Sequence, residues 1–239
     1  NSYSGATNLS AGTLSLSGSG TLGNAAGALN LTGGTLDLGT TTQTRTGTIT
    51  LNGATVSNGT LSSSGTFATQ SGTISAILAG TGALTKTGTG TVTLSAANTY
   101  TGATTLSAGT LSLSGSGTLG DAAGALNLTG GTLDLGTTTQ TRTGTITLNG
   151  ATVSNGTLSS SGTFATQSGT ISAVLAGTGA LTKSGTGTVT LSGANTYSGA
   201  TTVSGGTLSV NGSATSSAFT VQNGGTLGGT GTIGATTLQ

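Results

Sequence analysis

GTGTVTLSAANTYTG, residues 88–102, returns almost letter for letter as GTGTVTLSGANTYSG at residues 185–199. From Thr91 to Leu94 hydroxyl and apolar side chains alternate behind a glycine-rich step. A period of two puts Val92 and Leu94 on one face and Thr91 and Thr93 on the other, the pattern of a strand buried on one side. The recurrence extends well beyond this stretch. Tyr3, Tyr100 and Tyr197 are spaced by 97 residues, and the same spacing separates Arg45 from Arg142, Lys86 from Lys183 and Phe67 from Phe164. Residues 1–97 and 98–194 read as two copies of one unit, and 195–239 as a partial copy that diverges after about Leu208, in the manner of a terminal repeat.

The two full copies differ at seven positions: Ser2/Thr99, Ser4/Thr101, Asn8/Thr105, Asn24/Asp121, Ile77/Val174, Thr87/Ser184 and Ala96/Gly193. Of these, Ile77/Val174 reads as a core position, where one methylene is worth about 0.5–1.5 kcal/mol.

Inside a unit the pattern is strand after strand: Thr13 to Ser17, Ala28 to Leu31, Thr35 to Leu38, Thr48 to Leu51 and Thr91 to Leu94 all alternate. Glycine pairs, serine runs and the steps Asn52-Gly53 and Asn58-Gly59 separate them and supply the positive φ that turns need. Asn-Gly is also a strong hairpin signal, so antiparallel hairpins compete with a coil of parallel strands. The recurrence of a Gly-Thr-apolar triplet at Gly12, Gly34, Gly47, Gly59, Gly72, Gly90 and Gly109 favours the coil, because stacked rungs place like residues above like. The expected fold is an all-β parallel β-helix (β-solenoid) running through residues 1–239 as one body. Gaps between triplets predict rungs of roughly 19–25 residues, four or five per unit. At about 4.8 Å per rung that predicts a rod on the order of 50–60 Å.

Composition narrows the function. The chain has three acidic residues (Asp37, Asp121, Asp134), four basic ones (Arg45, Arg142, Lys86, Lys183), and no Glu, His, Cys, Met, Trp or Pro. Forty-seven glycines would suit a disordered tract, but 32% hydrophobic residues at regular spacing argue for a packed interior. Collagen is excluded by the absent proline and the lack of a three-residue glycine period. No apolar run approaches the roughly 18 residues of a membrane helix, so direct membrane insertion by this segment is not expected. A net charge of +1 gives no footprint for nucleic acid.

No catalytic, cofactor-binding or metal site is expected. General acid-base chemistry needs a titratable group near its task, and Asp37 and Asp134 are one position in successive units, which separates them by several rungs. The stretch Gly33 to Gly39 has the glycine richness of calcium-binding nonapeptides but one Asp where each turn would need its own. The glycine-rich steps lack the Lys-Ser/Thr ending of a phosphate loop, and sequons such as Asn30-Leu31-Thr32 are frequent by chance in so threonine-rich a chain. Thr40, Thr42, Thr44, Thr46, Thr48 and Thr50 predict a common strand face; ice binding would need such pairs on every rung, and this density occurs once per unit.

The stretches Gly80 to Leu111 and Gly177 to Leu208, with Leu-Thr-Lys, a Gly-Thr-Gly step and Asn-Thr-Tyr in the same order, resemble the autotransporter-associated β-strand repeat of Gram-negative passenger regions. The tail Asn223 to Gln239 is similar to the end of such an array. The resemblance implies a right-handed parallel β-helix outside the cell, at the Gram-negative surface. It implies a turn at Asn98-Thr99-Tyr100, with the ring over a rung edge and the Asn bonded to turn backbone. The absent cysteine agrees with export, since a periplasmic disulfide would obstruct an unfolded passenger. The function expected is a non-enzymatic structural stalk or adhesin; the alternative is a self-assembling extracellular fibre or matrix. A polysaccharide-cleaving β-helix would need clustered carboxylates. Self-association and a host, surface or glycan receptor are the expected partners, with no nucleic acid and no cofactor.

Overall fold

The computed structural model describes residues 1–239. Regular structure is entirely β, without a helix, in two compact units, Asn1–Asp121 and Ala122–Gln239. Each unit is a parallel β-solenoid, so the Asn-Gly steps turn corners and do not make hairpins.

In the first unit one face stacks Thr7–Leu9, Leu29–Leu31, the front of Ile49–Ser57, the front of Phe67–Ile74, Leu84–Lys86 and Thr104–Leu106. Thr7 pairs with Leu29, 22 residues on; Leu29 with Ile49, 20 on; Ile49 with Phe67, 18 on; Phe67 with Leu84, 17 on; and Leu84 with Thr104, 20 on. Rungs therefore run from 17 to 22 residues, shorter than the spacing of Gly-Thr triplets predicts, and five of them lead from Thr7 to Thr104. A second face stacks Thr13–Ser15, Thr35–Asp37, the back of the two long strands, Thr91–Leu94 and Thr110–Leu113. The third face has strands on three successive rungs only: Thr42–Arg45, Thr60–Ser63 and Ile77–Ala79. Elsewhere this side is loop, and the loops account for the longer rungs.

The second unit repeats the steps: Leu126 to Ile146, Phe164, Leu181, Thr201, Phe219 and Thr236 at 20, 18, 17, 20, 18 and 17 residues. Its third face carries Thr139–Arg142, Thr157–Ser160 and Val174–Ala176, then the short pair Ser213–Ala214 and Thr232–Ile233.

Two kinds of Asn-Gly corner shape a rung. Asn58 (φ 58°) and Gly59 (φ 50°) are both left-handed, and Asn58 and its counterpart Asn155 are the sole non-glycine residues with positive φ. Two such residues turn the backbone sharply, and the next inward side chain, Leu61, then has to reach the interior, which sends the strand onward to the third face instead of back. Asn52-Gly53 is a bulge inside the long strand: the register slips on either side of Asn52, bending one strand over two faces.

Inward positions are stacked and dry. Leu29, Ile49, Phe67 and Leu84 follow one another on the first face, and Leu36, Val56, Ile74, Leu94 and Leu113 on the second. Each such side chain contributes about 1.5–3 kcal/mol on leaving water, and the stabilisation accumulates between neighbouring rungs.

Two expectations are corrected. Ile77 is not in the core: it points outward on the third face and is 37% exposed. The six threonines from Thr40 to Thr50 do not share a face, because Thr42 and Thr44 lie on the third-face strand while Thr50 lies on the first face, past the corner at Gly47.

Candidate functional site

The candidate acids are apart from any site of chemistry. Asp37 Oδ1 accepts from the Gly39 amide at 2.9 Å and from Asn58 Nδ2 at 2.8 Å. Asp134 is held alike, by the Gly136 amide at 3.0 Å and Asn155 Nδ2 at 2.7 Å. Asp121 is exposed. The hydrogen bond from Asn58, aided by the Gly39 amide, holds the Asp37 carboxyl below its ordinary range, as expected for a carboxylate that caps a turn. The protein has no ligand-sized cavity and no group of three or more His, Cys, Asp or Glu side chains.

The cations behave unexpectedly. Leu84-Thr85-Lys86 alternates, so with Leu84 facing in, Lys86 faces in as well, and it is 0% exposed. Its stem lies in the core and its ammonium reaches the corner that follows. There Nζ donates to the carbonyls of Thr87 (2.6 Å), Gly88 (2.8 Å) and, on the next rung, Ala108 (3.0 Å). Three protons meet three acceptors, the full capacity of a lysine. Gly109 closes the cradle, since a Cβ there would stand 2.6 Å from Nζ. Lys183 repeats the arrangement with Ser184 (2.7 Å), Gly185 (3.1 Å) and Gly205 (2.8 Å). Burial pushes both ammonium groups below the ordinary lysine range.

Arg45 is similarly inward, 1% exposed, with Gln43 beside it on the same strand. Both serve the third-side loop of the preceding rung. Gln43 Nε2 donates to Gly20 O at 2.9 Å while its Oε1 accepts from the Leu22 amide at 2.9 Å. Arg45 donates through Nη1 to Leu22 O at 2.8 Å and through Nη2 to Gly27 O. A loop with no strand partner leaves buried backbone groups to be satisfied by side chains, and these two side chains do so.

Asn98 and Tyr100 complete the pattern. Asn98 bridges rungs on both sides, Oδ1 accepting from the Leu78 amide at 2.9 Å and Nδ2 donating to Thr118 O at 2.8 Å. In the second unit Asn195 keeps the first bond, from the Leu175 amide at 2.9 Å, but its Nδ2 donates to Gly193 O at 3.0 Å. The Tyr100 ring does not cover a rung edge as expected: it is fully buried, tilted against Phe67 with centroids 6.1 Å apart. Its hydroxyl pairs with Thr104 at 2.7 Å. Tyr197 packs on Phe164 at 6.1 Å and pairs with Thr201 at 2.8 Å.

Residues 1–16, 84–113 and 181–210 match the passenger-associated-transport-repeat family model. The chain carries passenger-associated transport repeats. The two longer matches span Lys86, Asn98 and Tyr100 and their equivalents Lys183, Asn195 and Tyr197. The matched motif therefore marks the rungs where an inward lysine, an asparagine bridge and a buried tyrosine hold together a corner and a third-side loop. No curated protein and no solved structure matches the chain. Repeat and solenoid fold together fit an autotransporter passenger.

What the repeats turn outward is a set of uncharged ladders. On the second face of the first unit Thr13, Thr35, Thr55, Thr73, Thr93 and Ser112 succeed one another, one per rung. The second unit aligns Thr132, Thr152, Thr170, Thr190 and Ser209. This hydroxyl density occurs on every rung of that face, not at the Thr40 to Thr50 stretch.

Proposed function

We propose that this segment is a non-enzymatic extracellular passenger, a structural stalk or adhesin at the surface of a Gram-negative cell. The observation that carries the reading is the division of labour within a rung. Apolar residues and the buried Lys86, Arg45 and Asn98 serve cohesion between rungs, and what remains for contact is a set of uncharged hydroxyl ladders. Such ladders suit repeated weak hydrogen bonding to a surface, a glycan or another copy, with little charge repulsion.

The test is protease shaving of intact cells that produce the full protein, followed by adhesion assays of a strain lacking this segment. Cleavage within the segment before lysis, with adhesion reduced on its deletion, supports the reading; a protected segment or unchanged adhesion counts against it. The second reading, a self-assembling fibre or matrix, rests on the parallel strands with which each unit pairs rung to rung. Sedimentation velocity over a concentration series separates the two. A stalk sediments as one species, and a fibre former grows with concentration.

A further inference from the structure

The two Asn-Gly steps of each repeat are chemically unlike, and the difference assigns them different fates. We propose that Asn52 and Asn149 are spontaneous deamidation sites built into the solenoid surface, while Asn58 and Asn155 are protected from the same reaction. In this reaction the backbone nitrogen of the following glycine attacks the Asn side-chain carbonyl carbon. The new C–N bond closes a succinimide and ammonia leaves. Water then opens the ring to aspartate or isoaspartate, so the step needs no reagent beyond water.

Three features favour it at Asn52. Both Asn52 and Gly53 are exposed. Gly53 lies outside every strand register, at the bulge where Asn52 pairs with Ser71 and Ala54 with Gly72, so its nitrogen can move without breaking a ladder. Ser71 Oγ donates to Asn52 Oδ1 at 3.1 Å, and this is the atom on which negative charge develops as the nitrogen attacks. A donor aimed at developing charge lowers the barrier because its bond strengthens in the transition state. Asn149 has the same exposed step and the same donor, Ser168 Oγ, at 3.1 Å.

Asn58 is held the opposite way. Its Nδ2 donates to Asp37 Oδ1 at 2.8 Å, which ties down the leaving nitrogen and sets a carboxylate beside the carbonyl that must become anionic. Its backbone is also fixed in the left-handed corner, with φ at 58°. Asn155 and Asp134 duplicate this at 2.7 Å. Each conversion adds one negative charge, so reaction at Asn52 and Asn149 turns the net charge from +1 to −1. The surface thus acidifies with age at one fixed corner per repeat.

The experiment is peptide mass spectrometry of the folded chain incubated in mildly alkaline buffer, following each Asn-Gly step over time. Asn52 and Asn149 are expected to gain the deamidation mass ahead of Asn58 and Asn155. Ser71→Ala is expected to slow Asn52 roughly two- to tenfold, the worth of one hydrogen bond, and to leave Asn149 in the same molecule unchanged. Ser71→Thr, which keeps the donor, restores the rate. Asn58 keeping pace with Asn52 in the unmodified chain overturns the proposal without any variant, and so does an Asn52 rate indifferent to Ser71→Ala.

Discussion

The corner around Lys86 and the strand around Arg45 each bury a cation whose partners are backbone carbonyls, yet they do so with unequal success. At Lys86 every proton has an acceptor, two of them in the turn that follows and one on the next rung. At Arg45 both terminal nitrogens are used, but Nε is buried without a partner. The first lies within a stretch that matches the repeat family and the second does not. A compact ammonium fits a glycine-lined corner, whereas the planar guanidinium has five donors in a fixed fork and is stretched across an irregular loop. The lesson is that a solenoid with few apolar residues to spare uses buried cations to gather carbonyls that no ladder satisfies.

The largest expected effect breaks the better-made site. Lys86→Met keeps most of the stem volume and strands three carbonyls, so a loss of about 3–5 kcal/mol is expected from the cost of unsatisfied buried groups. Urea unfolding monitored by circular dichroism reads it as a lower midpoint. Arg45→Met strands two carbonyls but also removes a desolvated charge and a buried N–H without a partner, so about 1–2 kcal/mol is expected. If Arg45→Met proves the costlier of the two, the comparison fails.

Much of this was legible in the sequence, and the reasons for the rest are physical. Alternation in Thr91 to Leu94 and like-over-like spacing led directly to parallel stacked rungs. Rung length was misjudged because Gly-Thr triplets open strands on all three faces: Gly34 precedes the second face, Gly47 the first and Gly59 the third. A gap between triplets is therefore not a rung. The inward cations were written in the same alternation, two residues from Leu84 and two from Gln43, but charge reads as outward unless an acceptor set is known. That set is carbonyls from a neighbouring rung, contacts about 22 residues away in sequence, which spacing alone does not reveal.

A pH titration sharpens the comparison further. Burial holds Lys86 below 10.5 in the folded chain, so between its folded value and 10.5 the unfolded chain binds more protons. Stability from this residue therefore rises with pH across that window. The Tyr197 phenol, raised mainly by burial, works the other way, its contribution being lost as pH climbs through its folded value. Taking the difference between the wild type and Lys86→Met cancels the tyrosine. In urea titrations towards pH 10.5, the wild type is expected to gain on the variant; a gap that narrows would show that desolvation does not dominate at this site.

The smallest effect concerns the outward side of the same rungs. Ile77 pairs with Thr60 on the third face and is 37% exposed, and Val174 replaces it in the second unit. Were the position a core one, Ile77→Val would cost about 0.5–1.5 kcal/mol through a lost methylene and the space it leaves. Here the removed group is already partly in water and no cavity forms, so the change should stay within about 0.5 kcal/mol. Differential scanning calorimetry of the single variant decides this. A shift of the larger size would mean that the third face packs against something in solution, and the contact-bearing side of the solenoid would then be this short face, not the threonine ladder of the second.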